Sequence, residues 1–336
     1  MKVLGIDTSC DETSVALLDN GRIAANLVYS QAALHKPFGG VVPEIAARAH
    51  VERLIPALDE VLEGVLHGVA PDLIAVTNRP GLIGPLLVGV SAAKSLAYAR
   101  GVPLVGVHHI EAHVAAASLL DPAPETPFLA LIASGGHTLL IHVPRPGQYL
   151  RLGGTIDDAA GECFDKIASI LGLPYPGGPS VEKAAQKGNA TAFDLPRPLF
   201  HDKNDNFSFS GLKTAVLYKV KGPRGKRLGP NVTPDFPIAD MAASAQEAIA
   251  DVLSTKAVRA CRRLGVERLV LGGGVAANTR VRELVEERAN AKGITAFIPP
   301  KVLCTDNAAM IAARGAELYA EGVCDNLHLD ADPYAD

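Results

Sequence analysis

Three of the chain's ten histidines fall within one hexapeptide, His108-His109-Ile110-Glu111-Ala112-His113. An apolar run at 103–107 precedes it and reads as a strand, and 114–120 follows and reads as a helix. Carried onto that helix, His109 and His113 are four apart and share one face. Two imidazoles on one face are half of a metal site. They need another ligand, an oxygen by preference, from elsewhere in the chain. A bare H-x-x-x-H is more often a pair of half-buried histidines, so the second source of ligand decides. Asp306, in Cys304-Thr305-Asp306-Asn307, stands just before a helix running to about Tyr319, at another strand-to-helix crossing. It is the candidate oxygen ligand. A zinc-protease reading fails on spacing. The glutamate of H-E-x-x-H follows the first histidine directly, whereas here Ile110 does, and Glu111 lies roughly 200° round the helix from His109.

Other stretches carry chemistry of a weaker kind. Asp7-Thr8-Ser9-Cys10-Asp11-Glu12-Thr13-Ser14 reads as a polar turn between strands, with hydroxyls, backbone N–H groups and three carboxylates close together. Such a turn can hold phosphates through its N–H groups and a metal or base through its acids; taken alone it is equally a polar hairpin. Ser134-Gly135-Gly136-His137-Thr138 is a second small-residue turn. Gly272-Gly273-Gly274 follows a strand at 268–271 and precedes a helix from about Asn278, an anion or nucleotide geometry that lacks the G-x-G-x-x-G spacing. Between Lys213 and Arg227 stand six bases (Lys213, Lys219, Lys221, Arg224, Lys226, Arg227) and no acid. A solvated loop is the commoner reading of such a run.

The elements that must position these groups alternate strand and helix. Residues 2–6, 15–18 and 23–29 read as strands joined by tight turns. A helix over 43–63 carries Ile55, Leu58 and Leu62 on one stripe, with Pro56 expected to kink or break it. A strand at 73–77 and a helix to about Arg100 follow. Three prolines within 121–127 mark the best boundary. After it the pattern restarts, with strands at 128–132, 139–143 and 149–152 around small polar turns, so an internal repeat is expected. Helices over 159–171 (capped by Asp157-Asp158), after Lys213 and over 238–264 fill the second half, and 172–179 reads as a rigid loop. This is an α/β chain of two related mixed-sheet lobes, 1–121 and 127–306, the second with helical insertions.

The bulk numbers exclude several classes. The 336 residues are 48% hydrophobic and 20% charged, enough for a core. Aromatics are only 5% and Trp is absent, which disfavours recognition mainly by stacking. Net charge is -4, so a polyanionic partner needs a local patch. Five cysteines without C-x-x-C spacing suggest a reduced, cytoplasmic chain. No signal peptide and no membrane span are expected.

Taken in order, seven of these pieces resemble one family. They are 7–13, 108–113, 134–138, Asp157-Asp158-Ala159-Ala160-Gly161-Glu162, Tyr175-Pro176-Gly177-Gly178-Pro179, Phe207-Ser208-Phe209-Ser210-Gly211-Leu212-Lys213 and 304–307. The family is TsaD, the tRNA N6-adenosine threonylcarbamoyltransferases (formerly described as glycoproteases), of the actin-like ATPase fold group with a nucleotide cleft between two lobes. The resemblance implies a first lobe completed by the C-terminal helix 307–321, and it implies an acyltransferase. It would move the threonylcarbamoyl group from threonylcarbamoyl-AMP to N6 of adenosine-37, in tRNAs that read codons starting with adenine, and release AMP. It implies one divalent metal per subunit, Fe(2+) or else Zn(2+), on His109, His113 and Asp306. It places the adenylate on Ile132, Ala133, Ser134, Gly135, Gly136, Asp165, Gly178, Glu182 and Asn278. Asp11 or Glu12 is the candidate for taking the proton of the attacking amine. Partners would be tRNA, a dimerising paralogue of the TsaB type and a P-loop ATPase of the TsaE type, with no membrane. Two departures stand out: Asn78-Arg79-Pro80-Gly81 replaces a Gly-Pro-Gly turn, and Ile132 stands where archaeal relatives are expected to carry a metal-binding tyrosine. A small-molecule kinase of the same fold leaves the histidine pair unexplained, and a non-catalytic ATP-binding assembly subunit would lack it.

Overall fold

The structure is a computed structural model, and it describes residues 1–222 and 235–334. It divides into two compact units, one of Met1–Ala123 with Asp306–Asp336 and one of Pro124–Thr305. Among the described residues, the strands form two five-stranded sheets, one in each unit, and each is a mixed sheet with helices packed on it.

In the first unit β1 (Lys2–Asp7), β2 (Glu12–Asp19) and β3 (Arg22–Ser30) are an antiparallel meander. The single-turn α1 (Ala32–His35) and α2 (Pro43–Gly64) lead to β4 (Leu73–Arg79), α3 (Ile83–Arg100) and β5 (Leu104–His108). β4 pairs parallel with β1, and β5 with β4, for an order of β3-β2-β1-β4-β5. β1 and β4 are nearly continuous apolar runs because they are covered on both faces. Helix α4 (His109–Ala115) leaves β5 directly.

The second unit repeats this plan. β6 (Phe128–Ala133), β7 (Thr138–Val143) and β8 (Leu150–Gly154) form the meander. After them come α5 (Ala160–Leu171), α6 (Gly177–Ala185), α7 (Ser210–Lys221) and α8 (Ile238–Leu264). β9 (Arg268–Gly272), α9 (Thr279–Asn290), β10 (Thr295–Phe297) and the single turn α10 (Lys301–Cys304) complete it. The order β10-β9-β6-β7-β8 is the first unit's order over again, with the same parallel and antiparallel pairs. The duplication expected from the sequence is therefore present strand for strand.

The last helix, α11 (Ala308–Ala320), returns to the first unit and packs on β1, β2, β4 and β5. Gly5 permits this, since a Cβ there would lie 2.1 Å from the carbonyl oxygen of Ala308. The Asn78 departure acquires a role. Its side chain donates to the carbonyl of Asp330 at 3.1 Å, and its own carbonyl accepts from Asp332 at 2.9 Å, anchoring the C-terminal segment.

Four local expectations need correction. Pro56 lies inside an unbroken 22-residue α2. Ile55 faces outward, 57% exposed, and the core stripe is Leu54, Leu58, Val61 and Leu62. Asp157 does not cap α5; it accepts from Ser208, Phe209 and Ser210 at the start of α7, while Asp158 pairs with Lys166 and Lys213. The loop at 172–179 gives way to α6 at Gly177.

Candidate active site

The first unit gathers its functional side chains where β1, β5 and the start of α11 end or begin. His108, the last residue of β5, is the N-cap of α4, its Nδ1 accepting from the Ile110 N–H at 3.2 Å. This fixes the start of the helix, so His109 and His113 occupy its first and second turns on one face. Both are buried, with rings 4.8 Å apart and nearly perpendicular. Asn307 caps α11 by accepting from the Met310 N–H at 3.2 Å, and Ser14 accepts from the Ala308 N–H at 2.8 Å. Asp306 is thereby held just outside that helix. Its Oδ1 lies 3.5 Å from His109 Nε2 and 3.1 Å from His113 Nε2, and the ligand atoms of all three residues lie within 4.8 Å of one another. Glu111 points elsewhere, to Arg314 at 3.0 Å.

The group has the features of a cation site. Neither ring nitrogen of the buried His113 makes a hydrogen bond, although Nε2 faces Asp306. A buried polar atom left unpaired costs about 1–3 kcal/mol, and a cation bound at Nε2 would remove that cost for this one nitrogen. The other side of His109 is braced. Its Nδ1 lies 3.2 Å from Ser9 Oγ and 3.4 Å from Asp7 Oδ2, and Asp7 is itself buried at the end of β1. A carboxylate behind a ligating histidine fixes the tautomer and aims Nε2 at the metal. Electrostatics agree. Burial lowers the His109 pKa, but Asp306 and then Asp7 outweigh it and hold it well above the ordinary imidazole value. Burial likewise opposes charge on Asp306, yet the two histidines hold it well below the usual carboxylate range. Two imidazoles and one carboxylate, aimed at one point with positive charge favoured there, fit a first-row divalent ion.

Asp11 and Glu12 occupy the β1–β2 connection, with Glu12 opening β2 rather than lying in a turn. Burial, then Asp306 and Asp11, push the Glu12 carboxyl well above its ordinary value, against a hydrogen bond from Ser30.

The second unit brings together the residues matched to an adenylate. Ile132 and Ala133 are buried in β6, where both pair with β7 and Ile132 also pairs with Gly272 of β9. The turn after them packs on the start of α5, where the carbonyls of Ser134 and Gly135 accept from the N–H groups of Gly161 and Glu162, each at 3.1 Å. Asp165 accepts from the Gly177 N–H at 2.7 Å, tying α5 to the start of α6. Glu182 accepts from the Thr279 N–H at 2.9 Å, and Asn278 caps α9 through Val281 at 3.1 Å while donating to Gln246 at 2.9 Å. The glycines divide into two kinds. A Cβ on Gly273 would lie 2.4 Å from the Ala133 carbonyl, and φ there is +84°, so that glycine holds strand to strand. Gly135, Gly136, Gly178 and Gly274 have nothing within 4 Å of a Cβ and face open space.

Of the six bases in the run after Ser210, Lys213 is committed to Asp158 at 2.8 Å, and Lys219 lies over the Phe193 ring. Arg224, Lys226 and Arg227 lie outside the described residues. Asp7 and Ser9 escaped the sequence reading as supports of His109. The only signal for them was an acid and a hydroxyl at the end of a buried strand.

Relatives are close and end to end. A chain named tRNA N6-adenosine threonylcarbamoyltransferase from Thermotoga neapolitana is 48% identical over 334 residues, 99% of each chain. One of the same name from Fervidobacterium nodosum is 50% identical over 99% of this chain and 98% of its own. Solved structures share the fold at lower identity. HypF from T. kodakarensis has a TM-score of 0.63 at 18% identity, over 96% of this chain and 48% of that one. The activator of 2-hydroxyisocaproyl-CoA dehydratase from Clostridium difficile, solved with bound ADPNP, has a TM-score of 0.53 at 15% identity, over 96% of this chain and 97% of that one. The model of the family described as TsaD, tRNA N6-adenosine threonylcarbamoyltransferase, matches residues 22–313, and the chain belongs to that family.

Proposed function

We propose that this chain transfers the threonylcarbamoyl group of threonylcarbamoyl-AMP to N6 of adenosine-37 in tRNAs reading codons that start with adenine. The observation that carries this reading is the buried His109–His113–Asp306 group in a chain whose relatives of that name match it end to end. The N6 amine attacks the carbamoyl carbon, the bond from that carbon to the phosphate oxygen breaks, and AMP leaves with its electron pair. The donor is a mixed anhydride, so positioning and charge stabilisation are the main demands.

His109, His113 and Asp306 would hold the metal, Fe(2+) by the family resemblance with Zn(2+) the alternative, and two imidazoles with one carboxylate suit either. A metal held there would supply orientation of the threonylcarbamoyl end and polarisation of its carbonyl. Glu12, or Asp11 beside it, takes the amine proton; burial and the neighbouring carboxylates raise the Glu12 carboxyl, which makes it the stronger base. The backbone of 132–136, with open Gly135, Gly136 and Gly178, seats the adenylate, and Asp165, Glu182 and Asn278 hold that seat's shape. A dimerising paralogue of the TsaB type and a P-loop ATPase of the TsaE type are the partners, and the cytoplasm is the setting. Among the described residues, no helix is long and apolar enough to cross a membrane.

The test is incubation of the metal-loaded protein, with those partners, synthetic threonylcarbamoyl-AMP and an unmodified tRNA transcript, followed by mass analysis of the nucleosides. Threonylcarbamoyladenosine at position 37 is expected. Glu12→Gln should lower the rate by about 10²- to 10⁴-fold at unchanged metal content. Release of AMP without any modified nucleoside would overturn the reading.

A further inference from the structure

Asp11 and Glu12 must be held in one place to serve the reaction proposed above, and the chain between residues 30 and 50 supplies the hold. His50 lies on the inner face of α2 with no exposed surface. Its Nε2 is 3.0 Å from the carbonyl oxygen of Cys10, and its Nδ1 is 2.8 Å from Thr13 Oγ1. A carbonyl oxygen can only accept, so Nε2 carries the hydrogen. In a neutral ring Nδ1 must then accept, and the Thr13 hydroxyl donates to it. Burial holds the imidazole below its ordinary value even though Cys10 and Asp7 pull the other way, so the ring is neutral. One buried side chain thus bonds residues 10 and 13 and brackets Asp11 and Glu12.

The bracketed pair has two further ties to the same segment. The Gln31 N–H donates to the Asp11 carbonyl at 2.9 Å, and the Ser30 hydroxyl donates to Glu12 Oε1 at 3.3 Å. Gln31 is held in turn by His35, also fully buried, whose Nδ1 accepts from the Val42 N–H at 3.3 Å and whose Nε2 donates to Gln31 Oε1 at 3.2 Å. Two buried histidines with all four ring nitrogens engaged are more than core filling requires. Of the two, only His50 contacts the Cys10–Thr13 stretch directly.

We propose that His50 is a positioning residue, which fixes Asp11 and Glu12 for proton removal through its bonds to Cys10 and Thr13. The proposal rests on the function assigned to those acids, but its geometry can be tested without the reaction. Cys10 is a built-in reporter. It is partly exposed beside the bond to His50, whereas Cys163, Cys261 and Cys304 are buried. Gln at position 50 can place an amide N–H where Nε2–H stands; Leu can make neither bond.

The experiment measures iodoacetamide labelling of each cysteine by peptide mass mapping, and kcat and KM for the adenylate, in His50→Leu, His50→Gln and Thr13→Val. In His50→Leu, Cys10 labelling should rise about tenfold through local opening, with the buried cysteines unlabelled. Its kcat should fall by about 10- to 100-fold through misplacement of the base, with KM and metal content unchanged. His50→Gln should restore both readouts most of the way. Parental Cys10 labelling in His50→Leu, or a His50→Gln protein as impaired as His50→Leu, would overturn the proposal. If His50→Leu also labels the buried cysteines, Thr13→Val decides. It loses one bond and keeps the ring, so a rise in Cys10 labelling alone supports positioning, and parental labelling refutes it. If the parent protein makes no threonylcarbamoyladenosine, the proposed function fails while the labelling result still judges the His50 hold.

Discussion

A divalent ion held by His109, His113 and Asp306 would compete with a proton there, and the competition predicts how metal affinity varies with pH. Burial disfavours charge on His109, but Asp306 and Asp7 hold its pKa well above the ordinary imidazole value. Asp306 stays ionised because the two histidines outweigh its own burial. The raised imidazole favours a proton on His109 in the metal-free site, and an incoming ion would expel that proton and none from Asp306. At every pH below the folded His109 value, affinity should rise about tenfold per pH unit, or ~1.4 kcal/mol, and level off above it. The metal-free fold has the opposite preference on its alkaline side. A raised imidazole contributes stability that is complete below about 6.5 and is lost as pH climbs through its folded value. Asp306 contributes stability present above its ordinary carboxylate value and lost only as pH falls through its depressed one. Calorimetric titration of the metal-free protein with Zn(2+), from about pH 6 to about pH 8 in buffers of different ionisation enthalpy, counts the proton directly. Asp7→Asn removes one of the two raising carboxylates, so its plateau should begin at lower pH. Affinity that stays constant through the acidic half of that range, with no proton released, would refute the reasoning.

Two further outcomes follow from the second unit. Gly178→Val points a side chain into open space, so stability should change by no more than about 0.5 kcal/mol. Adenylate affinity should fall while metal content holds, and unchanged affinity would move the adenylate elsewhere. Changing Lys219, Lys221 and Arg224 to Gln should weaken tRNA binding and flatten its salt dependence by about 0.7 to 0.9 per lost phosphate contact. Lys213 is left in place because it already pairs with Asp158, and an unaltered salt slope would place the RNA surface off this run.

The legible parts were those whose signal is local. β1 and β6 are short apolar runs, α8 is a long periodic helix, and the histidine pair is read from spacing on one helix. Asp306 was visible as an acid at a helix start. What failed depends on partners distant in sequence. Asp157 looks like a cap for the helix two residues on, but its oxygens go to Ser208–Ser210, about fifty residues away. Helix α2 carries two apolar stripes, Val51 with Ile55 and Leu54 with Leu58 and Val61, and only packing in the first unit selects the second. Pro56 survives there because 22 residues of otherwise regular helix, packed on the core, outweigh the one lost backbone bond. The bracing of His109 by Asp7 and Ser9 spans a hundred residues, and no spacing rule anticipates it.

The return of α11 to the first unit sets a timetable for making the protein. Ribosomes release the chain from its N-terminus, yet the part of the β1, β2, β4 and β5 face that α11 covers lacks that helix until residues 308–320 emerge. Asp306, the third member of the candidate metal group, emerges just before that helix. Pro124–Thr305 is one continuous stretch and can finish first. At roughly 5–20 residues per second, the early sheet waits on the order of 10–40 s for its missing helix. During that wait its apolar face is the part of the nascent chain most in need of a chaperone, and no complete metal site exists to be filled.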